Sequence, residues 1–137
     1  MLKEVITKNK DKSNQGRFSE IKGKVAEALA CLFLRLKGYK ILARNFSCGK
    51  GTGRGEIDII ATEKETLVFV EVKYRSREEK VFYAVTENNK KRVTAAAEYY
   101  IGKHPALSQY DVRFDVVLFG GKSFPKHIKD AWRPDWW

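Results

Sequence analysis

Asp58, Glu71 and Lys73 are the side chains whose types and spacing suit joint action on a phosphate ester. Asp58 lies in EIDIIAT (56–62), and Glu71 and Lys73 lie two apart in TLVFVEVKY (66–74). Both stretches read as β-strands, and a two-residue turn at Lys64-Glu65 would join them as an antiparallel hairpin. Paired residue numbers then sum to 129. Asp58 falls opposite Glu71, Glu56 opposite Lys73, Ile60 opposite Phe69 and Thr62 opposite Leu67. Ile57, Ile59, Ala61, Val68, Val70 and Val72 share the other face, which is wholly apolar and calls for burial. Two carboxylates directly opposite one another repel, so something cationic must offset them. Lys73 is one candidate. A divalent cation is the other, because carboxylates with a backbone carbonyl are the oxygen ligands that Mg²⁺ prefers. A metal there polarises a phosphoryl oxygen and lowers the pKa of a bound water, while Lys73 can orient that water and stabilise developing negative charge. The competing reading is a solvated strand face, with Glu56 and Lys73 as a plain cross-strand ion pair. It is weakest for Asp58 and Glu71, whose neighbours in EIDII and VFVEV are strongly apolar.

The elements that must position these residues follow from periodicity. Ile21, Val25, Leu29, Leu32 and Leu36 recur at helical spacing as one apolar stripe, which predicts a helix from about Ser19 to Lys37 with Ser19 as N-cap and Gly38 as terminator. Tyr39–Ser47 reads as a strand. CGKGTGRGE (48–56) then holds four glycines, a lysine and an arginine, the composition of a flexible basic loop. Beyond the hairpin, a second helix spans about Asn89 to Ile101, with Val93, Ala96, Ala97, Tyr100 and Ile101 as its apolar face and Gly102 and Pro105 ending it. Tyr110–Phe119 is another strand, closed by Gly120-Gly121, and a short strand follows near His127 to Trp132. The order α-β-β-β-α-β-β predicts an α/β fold, a mixed central sheet of about five strands with a helix on each face or both on one. Residues 1–17 read as a basic flexible tail, and 18–137 as a single domain.

Asp58 on one strand and Glu71-Val72-Lys73 on the next resemble the PD-(D/E)xK nuclease superfamily. Within it the chain is similar to the bacterial YraN family, relatives of archaeal Holliday-junction resolvases. The resemblance rests on GKVAEALACLFLRLKGYKILARNF (23–46), GEIDIIA (55–61), LVFVEVKYR (67–75), NKKRVTAAAEYYI (89–101) and RFDVVLF (113–119). It implies a restriction-endonuclease-like core and a Mg²⁺- or Mn²⁺-dependent endonuclease. Asp58, Glu71 and the carbonyl of Val72 would hold the metal, Glu27 would assist through a second ion or water as a further metal-site residue, and Lys73 would position the nucleophile. Glu27 enters through the resemblance alone. Spacing puts it off the leucine stripe, near Lys24 and Cys31, where an ordinary surface glutamate fits equally well. Ile57 stands where the superfamily's name has proline.

Several cations surround these motifs. Lys50 and Arg54 sit in the glycine loop, where flexible backbone plus charge suits closure over phosphates. The loop lacks the GxxxxGK[ST] pattern of an NTP-binding loop. Arg75 and Arg77 follow the ExK strand. Lys90, Lys91 and Arg92 open the second helix, where cations oppose the dipole and a bound phosphate would be favoured. A solvated surface is the alternative for each cluster. Asp115 is expected to pair with Arg113 or Lys122. His104 and His127 are not spaced as a metal pair. Cys31 reads as core and Cys48 as incidental, with no CxxC to suggest zinc. The terminal tryptophans could stack on bases or cover the core.

The 137 residues carry 27 Lys and Arg against 17 Asp and Glu, a formal charge of +10. That balance favours a polyanionic partner, nucleic acid before an acidic membrane. No apolar run approaches the ~20 residues of a membrane helix, and the polar N-terminus lacks the apolar centre of a signal peptide. The expected location is the cytoplasm. The reading is an endonuclease acting on DNA, including branched or damaged DNA. A non-catalytic nucleic-acid-binding module with the same fold, and an RNA-directed nuclease, are the alternatives. DNA is favoured over RNA, and a homodimer would suit a symmetric four-way junction.

Overall fold

The computed structural model describes residues 23–49, 51, 53–74, 85–120 and 125–134. The expected tail over 1–17, the Ser19 cap, Ile21, Lys50, Arg75, Arg77, Gly121, Lys122 and the terminal tryptophans lie outside them. Residues 23–36 form helix α1. It is followed by β1 (Lys40–Ser47), β2 (Glu56–Glu63), β3 (Thr66–Tyr74), α2 (Glu87–Lys103), a 3-10 turn at Pro105–Leu107, β4 (Asp111–Phe119) and β5 (Lys126–Trp132). The strands lie side by side in chain order, with β3 and β4 parallel and the other pairs antiparallel. A parallel neighbour needs a crossover, and α2 lies within it. Among the described residues no helix is long and apolar enough to cross a membrane.

The sheet separates two cores. On one face Ala30, Cys31 and Leu34 of α1 pack on Ile59, Ala61, Val68, Val70 and Val117. On the other, Val93, Ala96, Ala97 and Tyr100 of α2 pack on Ile57, Ile60, Leu67, Phe69 and Phe114. One helix therefore covers each face. Phe69 stacks on Phe114, and Phe114 on Trp132, with ring centroids 5.6 and 4.9 Å apart.

The β2–β3 hairpin has the expected register from Glu63↔Thr66 to Ile59↔Val70. Its turn is Lys64-Glu65, and Lys64 takes a positive φ of 54°. The register does not continue to Asp58 and Glu71. Ile57 and Ile60, three apart, pack in the same core, so strict alternation breaks at Asp58. The neighbouring strand β1 keeps its register on β2 here, its own shift lying between Ile41 and Ala43. Arg44 and Phe46 pair with Ile59 and Ile57, and Asn45 between them has φ 52°. The expected Ile57–Val72 face is thus corrected: Ile57 faces α2, while Val72 packs against the α1 core.

Helix α1 also departs from expectation. Its buried side chains are Ala26, Ala30, Cys31 and Leu34, whereas Val25, Leu29, Leu32 and Leu36 are 51, 47, 53 and 79% exposed. Both sides of this helix are apolar, so hydrophobicity alone does not fix its rotation. The face with alanines and a cysteine allows the closer approach to the sheet. Gly38, at φ 94°, ends the helix as expected, with the Tyr39 N–H bonded to the Leu34 carbonyl. Helix α2 begins two residues before Asn89, at Glu87, capped by the Thr86 hydroxyl on the Asn89 N–H, and it runs through Gly102.

Candidate active site

The break in alternation is what assembles the candidate site. At Asp58 the β2 strand stops following the β3 ladder, and the Asp58 Oδ2 accepts the Val72 N–H at 2.8 Å. A side chain thus stands where a backbone carbonyl would ordinarily accept. Glu71, one residue earlier on β3, is 4% exposed and lies within hydrogen-bonding reach of Asp58. The Lys73 ammonium is 3.7 Å from its Oε2. Glu27 comes down from α1 onto Asp58, also within hydrogen-bonding reach. Its position is explained by helix geometry. Glu27, Ala30, Cys31 and Leu34 follow i, i+3, i+4, i+7, so Glu27 continues the face that is actually buried. It is half-buried rather than an ordinary surface glutamate.

Glu27, Asp58, Glu71 and Lys73 are thus brought together. Asn89, which the sequence marks only as a helix start, is a fifth member. Its Nδ2 donates to Glu71 Oε2 at 3.4 Å, and its own N–H is fixed by the Thr86 cap. The T-x-x-N spacing at a helix start was the available signal.

Burial first, and then the neighbouring Glu27, push the Asp58 carboxyl up to about 6, against the opposing pull of the Val72 N–H and Lys73. Glu71 is pushed up to about 8, by burial first and then by Asp58, with Lys73 and Asn89 pulling the other way. One ammonium does not balance three carboxyl groups. The donor chemistry fits a divalent cation, which takes carboxylate oxygens and a carbonyl. Among the described residues no three His, Cys, Asp or Glu side chains form a group able to hold a metal by themselves. A cation here would rest on Asp58 and Glu71, completed by the Val72 carbonyl and water.

Asp58, Glu71, Lys73 and Asn89, but not Glu27, line a cleft of about 530 Å³ that also takes in Ser47, Gly49, Gly51, Gly53, Arg54 and Arg92. Gly55 holds its rim to α2. The Gly55 N–H donates to the Arg92 carbonyl at 3.0 Å, and a Cβ on Gly55 would stand 3.1 Å from Arg92 Cβ. Any larger residue would crowd that approach. Arg54 lies over the Tyr99 ring at 4.6 Å. The expected cation cluster at the start of α2 divides. Arg92 reaches the cleft, but Lys90 pairs with Glu87 at 3.0 Å, and Lys90 and Lys91 line a separate depression with Trp132 and Arg133. All three lie beyond the first turn, whose residues are Glu87, Asn88 and Asn89. Asp115 stays out of the cleft, as expected, and pairs with Arg113.

A profile described as uncharacterised protein family UPF0102 matches residues 26–119. UPF0102 protein amb4503 of Paramagnetospirillum magneticum is 44% identical over 114 residues, covering 83% of this chain and 88% of that protein. The chain belongs to the UPF0102 family. A UPF0102 protein of Parvibaculum lavamentivorans is 40% identical over 109 residues, covering 80% of this chain and 79% of its own. Another, from Rhodopseudomonas palustris, is 42% identical over 106 residues, covering 77 and 78%. The UPF0102 match spans α1 from Ala26 to the end of β4, so it takes in Glu27, Asp58, Glu71, Lys73 and Asn89.

Proposed function

We propose that this UPF0102 protein is a metal-dependent endonuclease of the PD-(D/E)xK type that hydrolyses phosphodiester bonds in DNA. The observation that carries the reading is the pair of half-buried Asp58 and buried Glu71, with Lys73 3.7 Å from Glu71, set where β2 leaves β3, in a cleft edged by Arg54 and Arg92. A structural ion pair has no need of two carboxyl groups held above their ordinary range. Mg²⁺ or Mn²⁺ on Asp58, Glu71 and the Val72 carbonyl would polarise a phosphoryl oxygen and acidify a water. The Val72 N–H orients Asp58, and Asn89 holds Glu71. Lys73 stabilises the negative charge that develops on the phosphate oxygens. Glu27 would assist through a second ion or a water. Arg54 and Arg92 bind the flanking phosphates, and the four cleft glycines let backbone approach the strand closely.

The deciding experiment is cleavage of single-stranded, duplex, flap and four-way-junction DNA with Mg²⁺, Mn²⁺ or EDTA, comparing wild type with Glu71→Ala. Wild-type cleavage that needs metal and is at least about a hundredfold faster than the variant's is the expected result. Equal cleavage by the variant sinks the reading. Salt-dependent binding by both proteins without turnover replaces it with a non-catalytic binding module, and cleavage confined to matched RNA moves the substrate class.

A further inference from the structure

Helix α1 leaves four large apolar side chains in solvent. Val25, Leu29, Leu32 and Leu36 are each about half exposed or more. They follow one another at intervals of four, three and four residues, the spacing of a seam between two packed helices. The intervals read the same in both directions. An antiparallel copy of α1 therefore sets Val25 against Leu36, and Leu29 against Leu32, at both ends at once. A patch complementary to itself is what a two-fold interface requires. Ala28, exposed between Val25 and Leu29, leaves room for the approach.

We propose that α1 docks against α1 of a second copy of this chain, antiparallel, through Val25, Leu29, Leu32 and Leu36. The inference is independent of the nuclease reading. Charge and area set its character. The exposed charges beside the stripe are Lys24 at one end and Arg35 at the other. Pairing brings like charges of the two copies near, on a chain of formal charge +10. Added salt therefore tightens the dimer, whereas it loosens attachment to an anionic lipid or to nucleic acid. The seam and its rim bury roughly 1,000 Å² in total, at the small end of specific interfaces, so the dimer is weak and concentration-dependent. A lipid surface would ask only for apolar area and places no demand on a symmetric order of side chains.

Sedimentation equilibrium of the full chain at low and high salt tests this. The expected result is a monomer–dimer equilibrium that shifts to dimer with salt. Leu29→Glu or Leu32→Lys alone raises the dimer Kd at least about thirtyfold. The double variant L29E/L32K recovers association, because in the antiparallel seam each substituted side chain meets its opposite. A parallel seam would instead bring like charges together, so a double variant that stays monomeric overturns the proposal. A wild type that is monomeric at every concentration overturns it as well. If that monomer co-sediments with phosphatidylserine vesicles, the stripe belongs to lipid. If it instead loses melting temperature on Leu29→Glu, another part of the same chain covers the stripe.

Discussion

Glu71 and Asp58 make the folded chain hold protons that the unfolded chain has already released. Their carboxyls are raised to about 8 and about 6, chiefly by burial. Below about pH 4 both are protonated in folded and unfolded chains alike, so nothing is lost there. As pH rises above about 4, the unfolded state ionises first, and stability falls until the folded carboxyls ionise in turn near 6 and 8. Glu71→Gln removes the larger part of that slope. With EDTA present, its melting temperature should match wild type near pH 4 and exceed it by about 5 °C near pH 8.5. Mg²⁺ should narrow the gap by stabilising only the wild type. A gap that is constant across this range, read by calorimetry, rules out the raised carboxyl. Lys73 belongs to the same scale. Among the described residues, its ammonium is the one that pairs with Glu71, and the sequence shows it through the two-residue spacing alone.

At the scale of elements, the site depends on how loops and helices meet. Gly55 ties the glycine loop to α2 through the Arg92 carbonyl. A Gly55→Ala Cβ would press on Arg92 Cβ at 3.1 Å and on its carbonyl carbon at 3.3 Å. Helix backbone yields poorly, so the variant should lose ~1–3 kcal/mol in urea unfolding. An unchanged midpoint would mean that the loop simply moves aside. The hairpin's register was legible in sequence because period-two alternation and a two-residue turn leave one solution near the turn. Its last step was not, because Asp58 bonds a backbone amide, and no alternation rule anticipates a side chain entering the ladder. The rotation of α1 was equally hidden. Leucines outrank alanines on any hydrophobic scale, yet close approach and the placing of Glu27 favour the alanine face. Asn89 escaped for a related reason: its partner lies eighteen residues away on another element.

Over the whole molecule, a buried polar network binds the end of α1 to the β4–β5 edge of the sheet. Asp115 is fully buried and accepts from Arg113 Nε and Nη2, from His127 Nε2 and from the Asp130 N–H. With Nε2 donating, His127 Nδ1 must accept, and it takes the Lys37 ammonium at 2.6 Å. Arg113 also donates to the Tyr39 hydroxyl and pairs with Glu63. The network thus ties α1, β2, β4 and β5, while the other end of α1 delivers Glu27. Burial alone would raise the Asp115 carboxyl, but its bonds from His127, Arg113 and Asp130 outweigh this and hold it below the usual range. Its contribution is therefore present above about pH 4 and lost as pH falls through the lowered value. Asp115→Ala strands Arg113 and His127 and should cost ~3–5 kcal/mol at pH 7. The difference from wild type should shrink towards pH 2. An Ala variant of wild-type stability at pH 7 would deny the network any role in holding the fold.

The Val72 amide has a further consequence. It is a backbone proton whose acceptor is Asp58 Oδ2 and not another strand. Its magnetic environment therefore follows the ionisation of that carboxyl and any cation drawn to it. An isotope-labelled Val72 makes the chain its own spectroscopic gauge of the cleft, readable without substrate and without altering a single residue.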